Sequence, residues 1–336
     1  MIKMSQRYRH LIGVVIFVLA VGGAALPCSA EGASNQPNSA TLVIATWPGF
    51  APAFVAKEKG FFGSLSVDIK VVDDFSARRA ALSSGQADFT IYTVDSLAFD
   101  VASGIEAIAV LALDQSKGAD GIIARAPIQN AADLTGKTVA YTKASPSEFL
   151  LAWYLKQAGI SLSAIKSITV DDPTRAAQAF SGKQVDAAVT WEPNLSELMK
   201  EPDVHELFTS RDAPNLIIDI LVASPNVIRN KPDVAKAVIN GWLKAIDFYQ
   251  QDQKTAQAIM AKGLGLSTDE LVGMMPGLAL YDRADNKRMF PPPGPDKTSL
   301  MQLFDTAAKL WKDEHLIEKQ LDSRLYFDSR FVQESQ

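Results

Sequence analysis

From residue 41 onward, short apolar runs alternate with amphipathic stretches. TLVIAT (41–46) has the length and branched content of a buried strand, and Ala51 to Lys59, after Pro48, reads as a helix closed by Gly60. VDIKVVD (67–73) alternates as a strand does, Ser76 to Ser84 reads as a helix ending at Gly85, and DFTIYT (88–93) is a third strand. Asp95 or Ser96 can cap a helix from Leu97 to Ala102 that Gly104 closes, and AIAVLAL (107–113) completes a βαβαβαβ series. Such a series predicts a mainly parallel sheet with helices on both faces.

The grammar then repeats. KTVAY (137–141), SITVDD (167–172) and VDAAVT (185–190) read as strands, separated by helices over Ser147 to Ala158 and Thr174 to Phe180. GIIAR (121–125) and LIIDILVAS (216–224) bracket this second unit, and they predict two extended strands that carry the chain from one lobe to the other and back. Beyond Ser224 the periodicity is helical, over Val234 to Gln250, Lys254 to Lys262, Thr268 to Met275 and Ser299 to Glu314, while the prolines of PPPGP (291–295) forbid a helix there. The expected fold class is α/β, with two lobes, each a mainly parallel sheet flanked by helices, and two crossover strands as hinge. Lobe 1 is expected to comprise 41–118 and 224–336, and lobe 2 to comprise 119–223 with the hinge strands at its ends.

The start of the chain has a different pattern. Lys3, Arg7 and Arg9 precede an apolar run from Leu11 to Leu26, and Cys28-Ser29-Ala30 supplies small residues, which together have the layout of a secretory signal peptide over 1–30. Residues 31–40 (EGASNQPNSA) are small and polar, as a disordered tether would be. Cleavage after Ala30 would remove Cys28, the chain's single cysteine, and leave no thiol chemistry; lipidation of Cys28 is the rival outcome. A net charge of −5 and a pI near 5.4, with lysines and arginines scattered among acids, provide no basic footprint for nucleic acid.

Ligands of open α/β sheets bind just beyond the strand C-termini. Three such places carry useful chemistry. Trp47-Pro48 follows the first strand, where the indole can form a stacking wall or a core side chain. Thr93-Val94-Asp95-Ser96 puts side-chain oxygens beside free helix N–H groups, for a ligand or as a plain cap. In the second unit, Ser145, Ser147 and Glu148 precede an apolar helix, and Trp191-Glu192 follows a strand. Glu148 reads first as a helix-start residue, and Trp191 equally as core. Enzyme chemistry has little material: the histidines after the leader are His205 and His315, and no nucleotide-binding glycine motif, metal-ligand spacing or nucleophile set is present. Neither a cofactor nor a metal is expected.

The segments TWPGFAPAFVAKEKGFF (46–62), ALSSGQADFTIYTVDSLAF (81–99), DQSKGADGIIAR (114–125), DLTGKTVAY (133–141), SPSEFLLAWYLKQAGI (145–160), AAQAFSGKQVDAAVTWEP (176–193) and YDRADNKRMF (281–290) have an order and spacing that resemble a known family. It is that of the periplasmic solute-binding proteins of ABC importers, in the group that takes nitrate, taurine, aliphatic sulfonates and thiamine precursors. The resemblance implies a type II-like two-lobed fold closing on ligand like a flytrap, a periplasmic location and an inner-membrane permease as partner. It further implies a ligand between the lobes near Trp47, Thr93 to Ser96, Ser145 to Glu148, Trp191-Glu192 and Asp219. A eukaryotic branch that makes a thiamine pyrimidine uses His and Cys residues, and this chain lacks those cysteines. Asp95, Glu148, Glu192 and Asp219 outweigh Lys143 and Arg175 as candidate pocket charges, which favours an amine, amidine or aminopyrimidine over a bare oxyanion. A sensor that signals to a membrane partner is the alternative, and a periplasmic hydrolase the third reading.

Overall fold

The computed structural model describes residues 38–292, 294 and 296–335. The expected signal peptide, its cleavage site and Cys28 lie outside the described residues. Eleven strands are present among those described: β1 (Ser39–Ile44), β2 (Ser66–Val71), β3 (Phe89–Thr93), β4 (Ile108–Ser116), β5 (Asp120–Arg125), β6 (Thr138–Thr142), β7 (Lys166–Val170), β8 (Ala187–Trp191), β9 (Val204–Thr209), β10 (Ile218–Ala223) and β11 (Leu278–Leu280). The helices in the first half are α1 (Pro52–Glu58), α2 (Phe75–Ser83), α3 (Val94–Ala102), α4 (Pro146–Gln157), α5 (Pro173–Ser181) and α6 (Asn194–Leu198). The second half carries α7 (Pro225–Asn230), α8 (Pro232–Gln251), α9 (Gln253–Leu264), α10 (Thr268–Met274), α11 (Arg283–Met289), α12 (Ser299–Asp313) and α13 (Arg330–Gln333). Residues 38–40, expected in the tether, include the first two residues of β1.

Local chemistry accounts for most boundaries. Asp74 and Asp172 accept from Ala77 N and Arg175 N at 2.8 and 2.9 Å, capping α2 and α5 just after their strands. Gly60 and Gly85 take φ of +68° and +75°, a region open to glycine at no steric cost, where α1 and α2 give way to the next strand. α3 differs from expectation: it begins at Val94 with Thr93 as N-cap, so Asp95 and Ser96 occupy its first turn instead of preceding it.

Two sheets result, ordered β11-β4-β10-β3-β1-β2 and β7-β6-β8-β5-β9. In each, the βαβ repeats produce a parallel trio, β2-β1-β3 and β7-β6-β8. The remaining pairings are antiparallel, so "mainly parallel" describes only those trios. The cause is the returning chain. β10 enters the first sheet between β3 and β4 and runs against both, while β5 and β9 pair head to tail in the second sheet. The two apolar brackets are therefore full sheet members, one in each lobe, and the peptides that cross between sheets are 117–119 and 210–217. Ser210 ties the crossings together, its Oγ lying 2.7 Å from Ser116 Oγ and accepting from Gly118 N at 2.6 Å.

The inner strands β6, β8 and β5 of the second sheet are covered on both faces, which explains their unbroken apolar runs. Ile123 and Ala188 pack with Phe180 of α5, while Ile122 and Val189 join the larger core with Phe149 of α4. The lobes also meet away from the cleft. Trp311 of α12 sits 5.4 Å from the Phe149 ring, and Glu314 accepts from Leu162 N at 3.1 Å.

Candidate functional site

Side chains from both sheets converge on a narrow cavity of about 30 Å³ where the strand ends of the two lobes face each other. From the first sheet come Trp47, Phe50, Phe75, Arg78, Tyr92 and Thr93; from the second come Asp120, Pro146 and Trp191; Asp219 on β10 closes the floor. Trp47 and Trp191 are 4 % and 5 % exposed and line the cavity from opposite sheets. Phe75 stacks on Tyr92 at 6.2 Å and 17°, and the Arg78 guanidinium lies 4.3 Å from the Phe75 centroid, so one wall is a layered aromatic and cationic surface.

Carboxylates dominate the charge. Asp114 and Asp219 are cross-strand partners in the β4–β10 ladder, and Trp47 Nε1 donates to Asp114 Oδ1 at 3.1 Å. Burial pushes the carboxyls of Asp95, Asp114 and Asp120 up to about 7, against hydrogen bonds that pull the other way. Asp219 is raised well above its ordinary value by burial and by the negative charges of Asp114 and Asp120. Arg78 is 2 % exposed, is lowered to about 10 by desolvation, and donates from Nη1 to Ile91 O at 3.1 Å.

Of the residues singled out in the sequence, Trp47, Thr93, Trp191 and Asp219 line the cavity. Pro48 is buried at the start of the 3₁₀ turn 48–50. Ser96 and Asp95 stand behind Thr93, whose Oγ1 lies 2.8 Å from Ser96 Oγ, and Ser96 Oγ donates to Asp95 Oδ2 at 3.3 Å. Ser145 caps α4, its Oγ accepting from Ser147 N at 3.1 Å, and Glu148 Oε2 accepts from Ala144 N at 2.6 Å. Both Glu192 oxygens are taken by Ser196, at 2.6 and 3.0 Å. Glu148 and Glu192 thus hold helix starts, leaving β-strand aspartates as the acids nearest the space.

The cations expected near a ligand are elsewhere: Lys143 is exposed, and Arg175 is 64 % exposed beside Asp171 and Asp172. Arg78, Phe75 and Asp120 went unnoticed in the sequence. For the first two a signal existed, because DDFSARR follows a strand end as Trp47 does. Asp114 also had one: a lone carboxylate inside AIAVLALDQS is the buried polar group that asks for an explanation.

Two α/β lobes joined by two crossings, with a mostly apolar cavity between them, define the periplasmic binding-protein class of fold. Residues 47–256 match the NMT1/THI5-like family, and the chain belongs to that family. A Brucella abortus protein provisionally named a binding protein is 26% identical over 237 residues, 69% of this chain and 73% of its own length. The alkanesulfonate-binding protein SsuA of Xanthomonas axonopodis pv. citri, solved bound to MOPS, superposes with a TM-score of 0.72 at 18% identity, over 87% of this chain and 98% of SsuA. The fold also serves an enzyme: the desulfurization enzyme DszB superposes at 0.61 with 14% identity, over 88% of this chain and 98% of its own.

Proposed function

We propose that this chain is the extracytoplasmic solute-binding component of an ABC importer, exported by its first thirty residues and handing a small solute to an inner-membrane permease. The solute is flat, sits between Trp47 and Trp191, and carries an amine, amidine or aminopyrimidine nitrogen that donates to Asp219 and Asp120. One observation carries this reading: the cavity presents buried strand aspartates against a single arginine, on aromatic walls. A sulfonate or nitrate would place its charge among like charges at a desolvated floor. Family membership and the sulfonate-binding relative support solute capture in general, while the chemistry of the walls supports the nitrogenous ligand.

Native mass spectrometry of protein purified from its own host weighs any retained ligand, and calorimetry with amines, amidines and sulfonates ranks the classes. Tight binding of a sulfonate with no binding of amines would overturn the ligand class. A chemically altered product accumulating beyond stoichiometry would favour the DszB-like alternative over transport.

A further inference from the structure

At the floor of the cleft Asp219 faces the cavity, and the carboxyl of Asp114 lies behind it, wholly buried against Trp47 and Gly49. Asp114 and Asp219 are direct cross-strand partners of β4 and β10, so their side chains share one face of the sheet, and they are 0 % and 4 % exposed. Trp47 Nε1 satisfies Asp114 Oδ1, whereas Asp114 Oδ2 has no partner among the described residues. Of the groups that face the pair from neighbouring elements, Arg78 brings the positive charge that Asp219 feels, and it forms no ion pair with either carboxyl among the described residues. Asp120 of β5 and Asp95 of α3 contribute further negative charge, and Tyr281, after β11, donates its hydroxyl to Gln115. Arg78 of α2 hydrogen-bonds Ile91 O and leaves Nε unpartnered, while Arg79 pairs with Asp100 and Arg283 with Asp247. Neither Asp114 nor Asp219 is in an ion pair among the described residues.

Two desolvated carboxylates within reach of each other do not both ionise, because each negative charge raises the cost of the other. The inexpensive solution in an empty cleft is one proton held between them. An ammonium or amidinium N–H presents a like hydrogen and a like charge to Asp219, the member of the pair that lines the cavity. We propose that Asp114 and Asp219 share one proton in the ligand-free cleft and exchange it for the cationic N–H group of the captured solute. Capture is then coupled to pH: binding expels the proton, so acidification loosens the complex and raising the pH tightens it. The idea rests on the nitrogenous ligand proposed above.

The test has two arms on the mature protein. Carbon-13 NMR of labelled aspartates is expected to show one carboxyl of the pair titrating above about pH 6, against an ordinary value near 4, and Asp219→Asn should abolish that high titration while circular dichroism stays native. Both carboxyls titrating below about pH 5 would overturn the shared proton. Calorimetry with benzamidine in buffers of different ionisation heat is expected to count about one proton released per probe bound, with affinity rising up to about tenfold per pH unit below the upper titration. Binding with no proton released would overturn the exchange. Absence of benzamidine binding, with the shared proton present by NMR, would instead remove the cationic-ligand reading and the exchange with it.

Discussion

Gly49 is the residue whose replacement should reveal how tightly the cleft floor is built. It lies in the 3₁₀ turn after β1, and a methyl group there would stand 2.1 Å from Asp114 Oδ2 and 2.6 Å from Trp47 Nε1. Ordinary contact begins at 3.4 Å, so one side must yield by about 1.3 Å at the carboxylate. Asp114 is wholly buried on a central strand and Trp47 is anchored to it, so the movement breaks their hydrogen bond and leaves a polar group unpaired. Overpacking and an unsatisfied buried group each cost about 1–3 kcal/mol. Gly49→Ala should therefore destabilise by about 2–6 kcal/mol and lower the melting temperature by roughly 4–12 °C, with ligand affinity lost in parallel. Gly273, near the end of α10 with nothing near its added methyl, is the control: alanine there should be neutral or stabilising by up to about 1 kcal/mol. Differential scanning calorimetry of the two variants decides the matter. A Gly49→Ala protein melting with the wild type would refute the packing described for Trp47 and Asp114.

Other outcomes follow from the same geometry. Trp47→Ala and Trp191→Ala should each weaken ligand binding at least several-fold with the fold intact, and unchanged affinity in both by calorimetry would remove the cleft assignment. Because burial raises Asp95, Asp114 and Asp120 to about 7, above their unfolded values, their contribution is fully present below about pH 4 and is lost as pH climbs through 7. Melting temperature should accordingly fall between pH 5 and 8 and fall less in Asp120→Asn; a rise over that range would contradict the burial of these acids. Trp311 donates from Nε1 to Asp95 O at 2.9 Å and touches Phe149, so Trp311→Phe should cost about 1–2 kcal/mol in chemical denaturation, and no loss would mean that α12 does not brace the two lobes.

What could be read in the sequence was what local chemistry decides. The strands that feed α2, α4 and α5 announced themselves as apolar or alternating runs followed by helical stretches, and the repeat of that unit implied two lobes, while the caps Asp74 and Asp172 emerged only with the structure. The partner of a strand is a different matter, because nothing in LIIDILVAS says that its slot lies between β3 and β4; only the assembled sheet does. β9, with half-exposed residues, and the three-residue β11 were too weakly patterned to notice. At the site, two aromatics at strand ends were found: Trp47, shortly past β1, and Trp191, which is the last residue of β8 instead of following it. Glu148 makes the helix-start bond that its position put first, and Glu192 makes a similar one, since a carboxylate near a helix start has backbone N–H groups to satisfy before any solute arrives.

The position of β10 sets an order on synthesis. The second sheet is encoded in one stretch, 120–209, and every strand it needs is available once β9 has emerged. The first sheet has most of its strands much earlier, yet β3 and β4 face an empty slot until residues 218–223 arrive. A nascent chain stopped short of that point carries two unpaired central edges and an incomplete cleft floor, whereas its second lobe can already close. The N-terminal lobe should thus be the last to finish, and truncation just before Ile218 should be more damaging to solubility than truncation within the helices that follow α8.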